Sequence, residues 1–166
     1  MEDYHRPFVY FICLVSAMGG LLFGYDWVVI GGAKPFYEIF FGIAERPSMQ
    51  ALAMSIALLG CLLGATMAGL LADRYGRRRL LLFSALVFLG SSWATGAANH
   101  FITFVLARLV GGIAIGLAAD LSPMYIAEVA PKEVRGRLVT LNQLTIVIGI
   151  LAAQVVNVLV AAPGRG

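Results

Sequence analysis

The strongest constraint on this chain is a series of about five apolar runs, each near the twenty residues that a helix needs to cross the hydrocarbon core of a bilayer. They lie at approximately 8–30, 49–72, 80–98, 101–127 and 138–161. A soluble domain of 166 residues has nowhere to hide so much apolar surface, because a fold of that size leaves much of its surface in water. Composition points the same way. Sixty per cent of the residues are apolar and 13% are charged, against roughly 45–50% and 25% in soluble domains. The spacing predicts an all-α membrane protein.

Local signals bound the runs. Pro47 and Ser48 form a helix start before the second run, Asn99 and His100 form a tight turn between the third and fourth, and Pro163 and Gly164 stop the fifth. The segment from Met1 to Pro7 is short and mixed in charge. The run behind it is too long for a signal-peptide core, with no small-residue cleavage site following, so it is read as the first span.

Lys and Arg set the orientation. One side of the membrane carries Arg6, then Arg74, Arg77, Arg78 and Arg79, then Lys132, Arg135 and Arg137; the other carries Lys34, Arg46 and Arg165. The richer side is cytoplasmic. The N-terminus is therefore inside, and an odd number of spans puts Gly166 outside. Apart from Tyr75, no aromatic residue is interleaved with the basic clusters, which argues against a nucleic-acid partner. Cys13 and Cys61 lie inside apolar runs without metal-like spacing and read as small buried side chains. No Ser–His or Cys–His constellation, metal-ligand cluster or phosphate-binding glycine loop appears, so neither an enzyme nor a cofactor is expected.

Glycines recur at helical spacing. Gly19, Gly20 and Gly24 in the first run are echoed by Gly111, Gly112 and Gly116 in the fourth, and Gly60 and Gly64 mark the second. Small residues allow close helix approach. The echo also fits a three-helix repeat, which inverts in the membrane because three is odd.

Three ionisable residues lie deep in the runs: Asp26, Arg108 and Asp120. Each costs about 2.5–3.5 kcal/mol at a helix centre on insertion scales, so each needs a reason. Asp26 precedes Lys34 by two helical turns, and Arg108 follows His100 by the same interval, so both sit roughly 12 Å from the outer end of their spans. Opposite charges at matching depth can pair across two helices, which offsets much of the burial cost. Two readings follow: a carboxylate that protonates and releases its arginine, or a static ion pair that fixes helix packing. Asp120 lies roughly 120° around the helix from Arg108. It either lines the same cavity or is hydrogen-bonded between helices.

The cytoplasmic loops pair acids with arginines. Gly69, Asp73, Gly76, Arg77, Arg78 and Arg79 stand between the second and third runs. The stretch Pro123-Met124-Tyr125-Ile126-Ala127-Glu128-Val129-Ala130-Pro131, followed by Arg135 and Gly136, stands between the fourth and fifth. The first pattern resembles the signature loop of the major facilitator superfamily. The second is similar to that of the sugar porter family within it. Gly19-Gly20-Leu21-Leu22-Phe23-Gly24-Tyr25-Asp26 and Leu141-Asn142-Gln143-Leu144 resemble that family's first and fifth helices. The match covers nearly the whole chain.

The resemblance implies about five transmembrane helices of an incomplete N-terminal six-helix bundle, whose missing partner is the C-terminal transporter half. It implies a multi-pass protein of the cell (inner) membrane that carries a monosaccharide, hexose or pentose, with a proton by alternating access. Asp26 matches the proton-linked aspartate of the symporters, and Arg108 its partner. Gln143 matches a sugar-binding residue, with Phe23 bordering the sugar. Asp73, Arg77, Glu128 and Arg135 match a cytoplasmic charge network. The sequence departs from the pattern at Ile150, where some symporters carry a second glutamine, at Asp120, where an apolar or small residue is expected, and in lacking a sixth helix. The alternative is a truncated, non-transporting membrane fragment or a membrane interaction protein.

Overall fold

A computed structural model describes residues 6–161. They form five helices: α1 (Arg6–Phe40), α2 (Pro47–Tyr75), α3 (Arg77–Gly96), α4 (Phe101–Val129) and α5 (Arg135–Ala161). All five are long and apolar enough to cross a membrane, and no strand occurs among the described residues. Large apolar side chains cover the outside of the bundle: Leu70, Ile39 and Trp93 are each more than three-quarters exposed. In water such a surface would aggregate; in lipid it is the solvated face. The expected stop at Pro163 and Gly164, the placement of Gly166 outside, and the side chains of Arg6 and Arg165 lie outside the described residues.

The helices outrun several expected ends. α1 continues to Phe40, well past Ile30, even though Pro35 lies inside it. Proline removes one backbone donor, but the segment is held from outside. Tyr37, Phe41, Phe101 and Phe104 cluster there, with ring centroids 5.4 Å apart for Tyr37–Phe104 and for Phe41–Phe104. Lys34 and Glu38 also pair one turn apart at 3.6 Å. α2 begins at Pro47, the first-turn position that proline suits. It ends one residue before Gly76, whose φ of +83° makes the corner into α3. A side chain there would find open space; the backbone conformation is what demands glycine.

α4 packs against each of the other four helices, while the α1–α5 and α2–α4 pairs form the longest contacts. Both pairs rest on bare backbone. A Cβ at Gly112 or Gly116 would collide with the carbonyls of Ala57 and Cys61 in α2, and one at Gly60 or Gly64 with those of Leu109 and Ile113 in α4. The same pattern recurs between α1 and α5. Gly20 and Gly24 lie on the carbonyls of Asn142 and Ile146, and Gly149 lies on that of Leu21. Where α2 has Gly60, the matching place in α5 holds Thr145, whose hydroxyl lies between two carbonyl acceptors, that of Ala17 on α1 at 2.6 Å and that of Asn142 in its own helix at 2.8 Å. The α1–α5 contact is thus the α4–α2 contact repeated, as an inverted repeat requires.

α1 and α4 are joined by a polar clasp, in which Ser122 Oγ donates to the Ser16 carbonyl at 2.8 Å inside the core. Cys13 is fully buried nearby, while Cys61 is only partly covered. The sequence reading had placed both thiols inside. Cys61 lies on the rim of the α2–α4 seam, where the glycines draw the backbones together and leave its side chain at the edge.

Candidate functional site

Asp26 on α1 and Arg108 on α4 meet within the bundle. Arg108 Nη1 donates to Asp26 Oδ1 at 2.7 Å, and the two side chains are 9% and 14% exposed respectively. The pair forms because each residue lies deep in an apolar stretch of its helix, with no opposite charge within a turn of it on that helix. Every other arrangement leaves a bare charge in hydrocarbon. Gly111, next to the arginine on α4, lies against Ser91 of α3 and brings that helix close.

The pair forms part of the wall of a cleft of about 480 Å³ between α1, α3 and α4. Its polar lining includes Tyr37 from α1 and Ser91, Ser92 and Thr95 from α3. A second cleft between the same helices, about 600 Å³, is mostly apolar, with Phe11, Val15, Leu82 and Phe88 in its walls. The acid and its arginine therefore face α3, while the fifth helix lies on another side of α1.

The other sequence candidates are spread out. Gln143 is exposed on α5 and makes no hydrogen bond among the described residues; Phe23 is half-buried on α1; neither lines the two clefts. Asp120 is exposed on α4, and no ion pair reaches it among the described residues. At the cytoplasmic face Arg77 Nη1 meets Glu128 Oε2 at 2.8 Å, joining the start of α3 to the end of α4. Arg135 Nη2 instead donates to the Ala130 carbonyl at 3.4 Å, within its own loop. Asp73 is exposed and stands apart from both.

Some polar groups near these residues escaped the sequence reading. Asn157 donates to the Val28 carbonyl at 3.1 Å, bracing α5 against α1 two residues from Asp26. Tyr37 shares the Asp26 face of α1, three helical turns further out, a relation that the spacing of eleven residues could have revealed. Among the described residues no group of three or more His, Cys, Asp and Glu side chains is placed to hold a metal.

The comparisons with known proteins agree with this architecture. Residues 12–164 match the model of the family described as "Sugar (and other) transporter". The chain belongs to this sugar porter family of the major facilitator superfamily. Among curated relatives it is 36% identical to the D-xylose-proton symporter of Escherichia coli (strain K12), an alignment that covers 98% of this chain and 38% of the relative. It is 38% identical to the arabinose-proton symporter of Bacillus subtilis (strain 168), over 98% of this chain and 35% of that one. The solved structure of the proton:xylose symporter XylE bound to 6-bromo-6-deoxy-D-glucose superimposes with a TM-score of 0.85 at 36% identity, over 98% of this chain and 39% of the other. The chain thus spans well under half the length of the relatives that it matches.

Proposed function

We propose that this chain forms the N-terminal portion of a monosaccharide transporter of the cell (inner) membrane, proton-coupled, acting by alternating access with a C-terminal half. The observation that carries the reading is the Asp26–Arg108 pair, closed at 2.7 Å inside the bundle. The names of relatives, a D-xylose-proton symporter and an arabinose-proton symporter, support a pentose or hexose as cargo and a proton as the coupled ion.

The chemistry runs through one carboxylate. Ionised, Asp26 holds the guanidinium of Arg108 and ties α1 to α4. A proton on Asp26 cancels its charge, weakens that tie and frees Arg108 for another acceptor. Sugar and proton are coupled if the two states of this pair belong to different openings of the transporter. Gln143 and Phe23 would supply sugar contacts from this half. Asp73, Arg77, Glu128 and Arg135 would form the cytoplasmic latch, of which the Arg77–Glu128 bond is one closed element.

The test is uptake of radiolabelled xylose, arabinose and glucose by cells without sugar porters of their own, expressing the full-length transporter that carries this segment. Asp26→Asn should abolish accumulation driven by a pH gradient and keep sugar counterflow, which moves no net proton. Undiminished accumulation in that variant would sink the proton role.

A further inference from the structure

Two residues that line the same cleft each carry a buried polar atom without a partner in the protein: Arg108 its Nε and Tyr37 its Oη. The two residues are 8% and 7% exposed. Buried N–H and O–H groups are almost always satisfied, and leaving one bare costs more than a bond usually gains. The cleft has room for several water molecules, each of which needs two to four polar partners. It offers those partners along its length: the Asp26 carboxylate, Arg108 Nε–H, the phenol of Tyr37, and the hydroxyls of Ser91, Ser92 and Thr95. The order is vertical. Tyr37 rests on Phe104, which stands one turn outward of Arg108 on α4, so the phenol lies on the outer side of the ion pair.

We propose that Tyr37 is a proton-relay residue, passing protons from the outer face through water in the α1–α3–α4 cleft to Asp26. The inference rests on the proton-coupled reading above and adds the route. A phenol suits the task because it donates and accepts at one oxygen. In each transfer Tyr37 Oη accepts a proton from a water on its outer side as it releases its own to a water on its inner side. The inner chain delivers one proton to Asp26 Oδ, and the phenol ends neutral as it began. The charged groups that line the cleft are Asp26 on α1 and Arg108 on α4, and Tyr25 on α1 is a second phenol in its wall; α3 presents hydroxyls to this cleft and no charge. Lys34 and Glu38 flank Tyr37 in sequence and hold each other at 3.6 Å, so the entrance carries little net charge.

The experiment is Tyr37→Phe in the full-length transporter, which keeps the ring against Phe104 and removes one hydroxyl. Gradient-driven uptake near neutral external pH should fall by about tenfold or more, within the contribution expected of a positioned proton-transfer group. Acidifying the outside should restore it, because a higher proton supply compensates a slow relay, and counterflow should be unchanged. Thr95→Val, isosteric and on the α3 wall of the same cleft, should give a weaker defect of the same kind. Unchanged uptake and pH profile in Tyr37→Phe would overturn the relay. So would a loss of counterflow together with uptake, which would make Tyr37 a structural or sugar-linked residue. Asp26→Asn separates the two ideas. If that variant loses accumulation while Tyr37→Phe does not, the relay fails and proton coupling at Asp26 stands. If Asp26→Asn accumulates sugar normally, both fail.

Discussion

Among the described residues two arginine–carboxylate bonds join helices, and their lengths hardly differ: 2.7 Å for Arg108–Asp26 and 2.8 Å for Arg77–Glu128. Their surroundings do. The first is enclosed among α1, α3 and α4, with side chains 9% and 14% exposed; the second stands at the cytoplasmic edge, with side chains 32% and 54% exposed. A distance alone says nothing about strength. Water near the outer pair competes for both partners and screens them, so such a bond contributes at most about 1 kcal/mol. Inside the bundle the few waters that the cleft can hold replace only part of a hydration shell, so separating the partners strands two poorly solvated charges. The buried bond is hard to break by accident and is opened by neutralising one end. The exposed bond has water to compete for both partners, which suits the latch proposed for it.

The comparison can be broken at its strong end first. Arg108→Ala leaves Asp26 alone in the bundle and should cost about 3–5 kcal/mol, the usual penalty for removing one partner of a buried pair. Unfolding in detergent, followed by circular dichroism against denaturant, measures it, and Asp26→Asn in the same background should recover much of the loss. If Arg108→Ala unfolds no sooner than the parent, the pair is solvated and the contrast collapses. At the weak end, Arg77→Ala should change stability by less than about 1 kcal/mol. In the full-length transporter it should nevertheless raise labelling of cysteines placed at the cytoplasmic ends of α3 and α4. Flat labelling would remove the latch. The smallest effect sharpens the contrast further. Raising salt from 0.1 to 1 M shortens the screening length from about 10 to 3 Å and should erase the Arg77–Glu128 coupling in a double-mutant cycle, while the Arg108–Asp26 coupling persists.

The buried pair was legible in the sequence because charges are rare in apolar runs, and two of them at one depth ask to be joined. The five helices were legible for the same reason of contrast, since polar punctuation between long apolar stretches leaves little choice. The outer end of α1 was not. Lys34, Pro35 and Glu38 read as the close of a span, and only the aromatic packing of Tyr37 and Phe41 on α4 keeps the helix going. Tyr37 itself was hidden by its type: an aromatic residue near a membrane boundary reads as an interfacial anchor, and only its unpartnered hydroxyl in the cleft marks it out. At the cytoplasmic face the sequence gathers Asp73, Arg77, Glu128 and Arg135 into two loops, yet side-chain reach joins Arg77 to Glu128 and leaves Asp73 exposed outside that bond. Gln143 and Phe23 line neither of the two clefts described here, so their spacing along the chain did not mark a shared site.

The substitution of threonine for glycine in the repeated interface makes the two halves of the bundle mechanically unequal. Between α2 and α4, Gly60 only lets the backbones touch, and touching surfaces resist compression far more than they resist shear. Between α1 and α5, the Thr145 hydroxyl has the Ala17 carbonyl as the nearer of its two acceptors, and a directional bond fixes height as well as distance. Axial slippage of one helix along its neighbour therefore meets less resistance on the α2–α4 seam than on the α1–α5 seam, whose first helix carries Asp26.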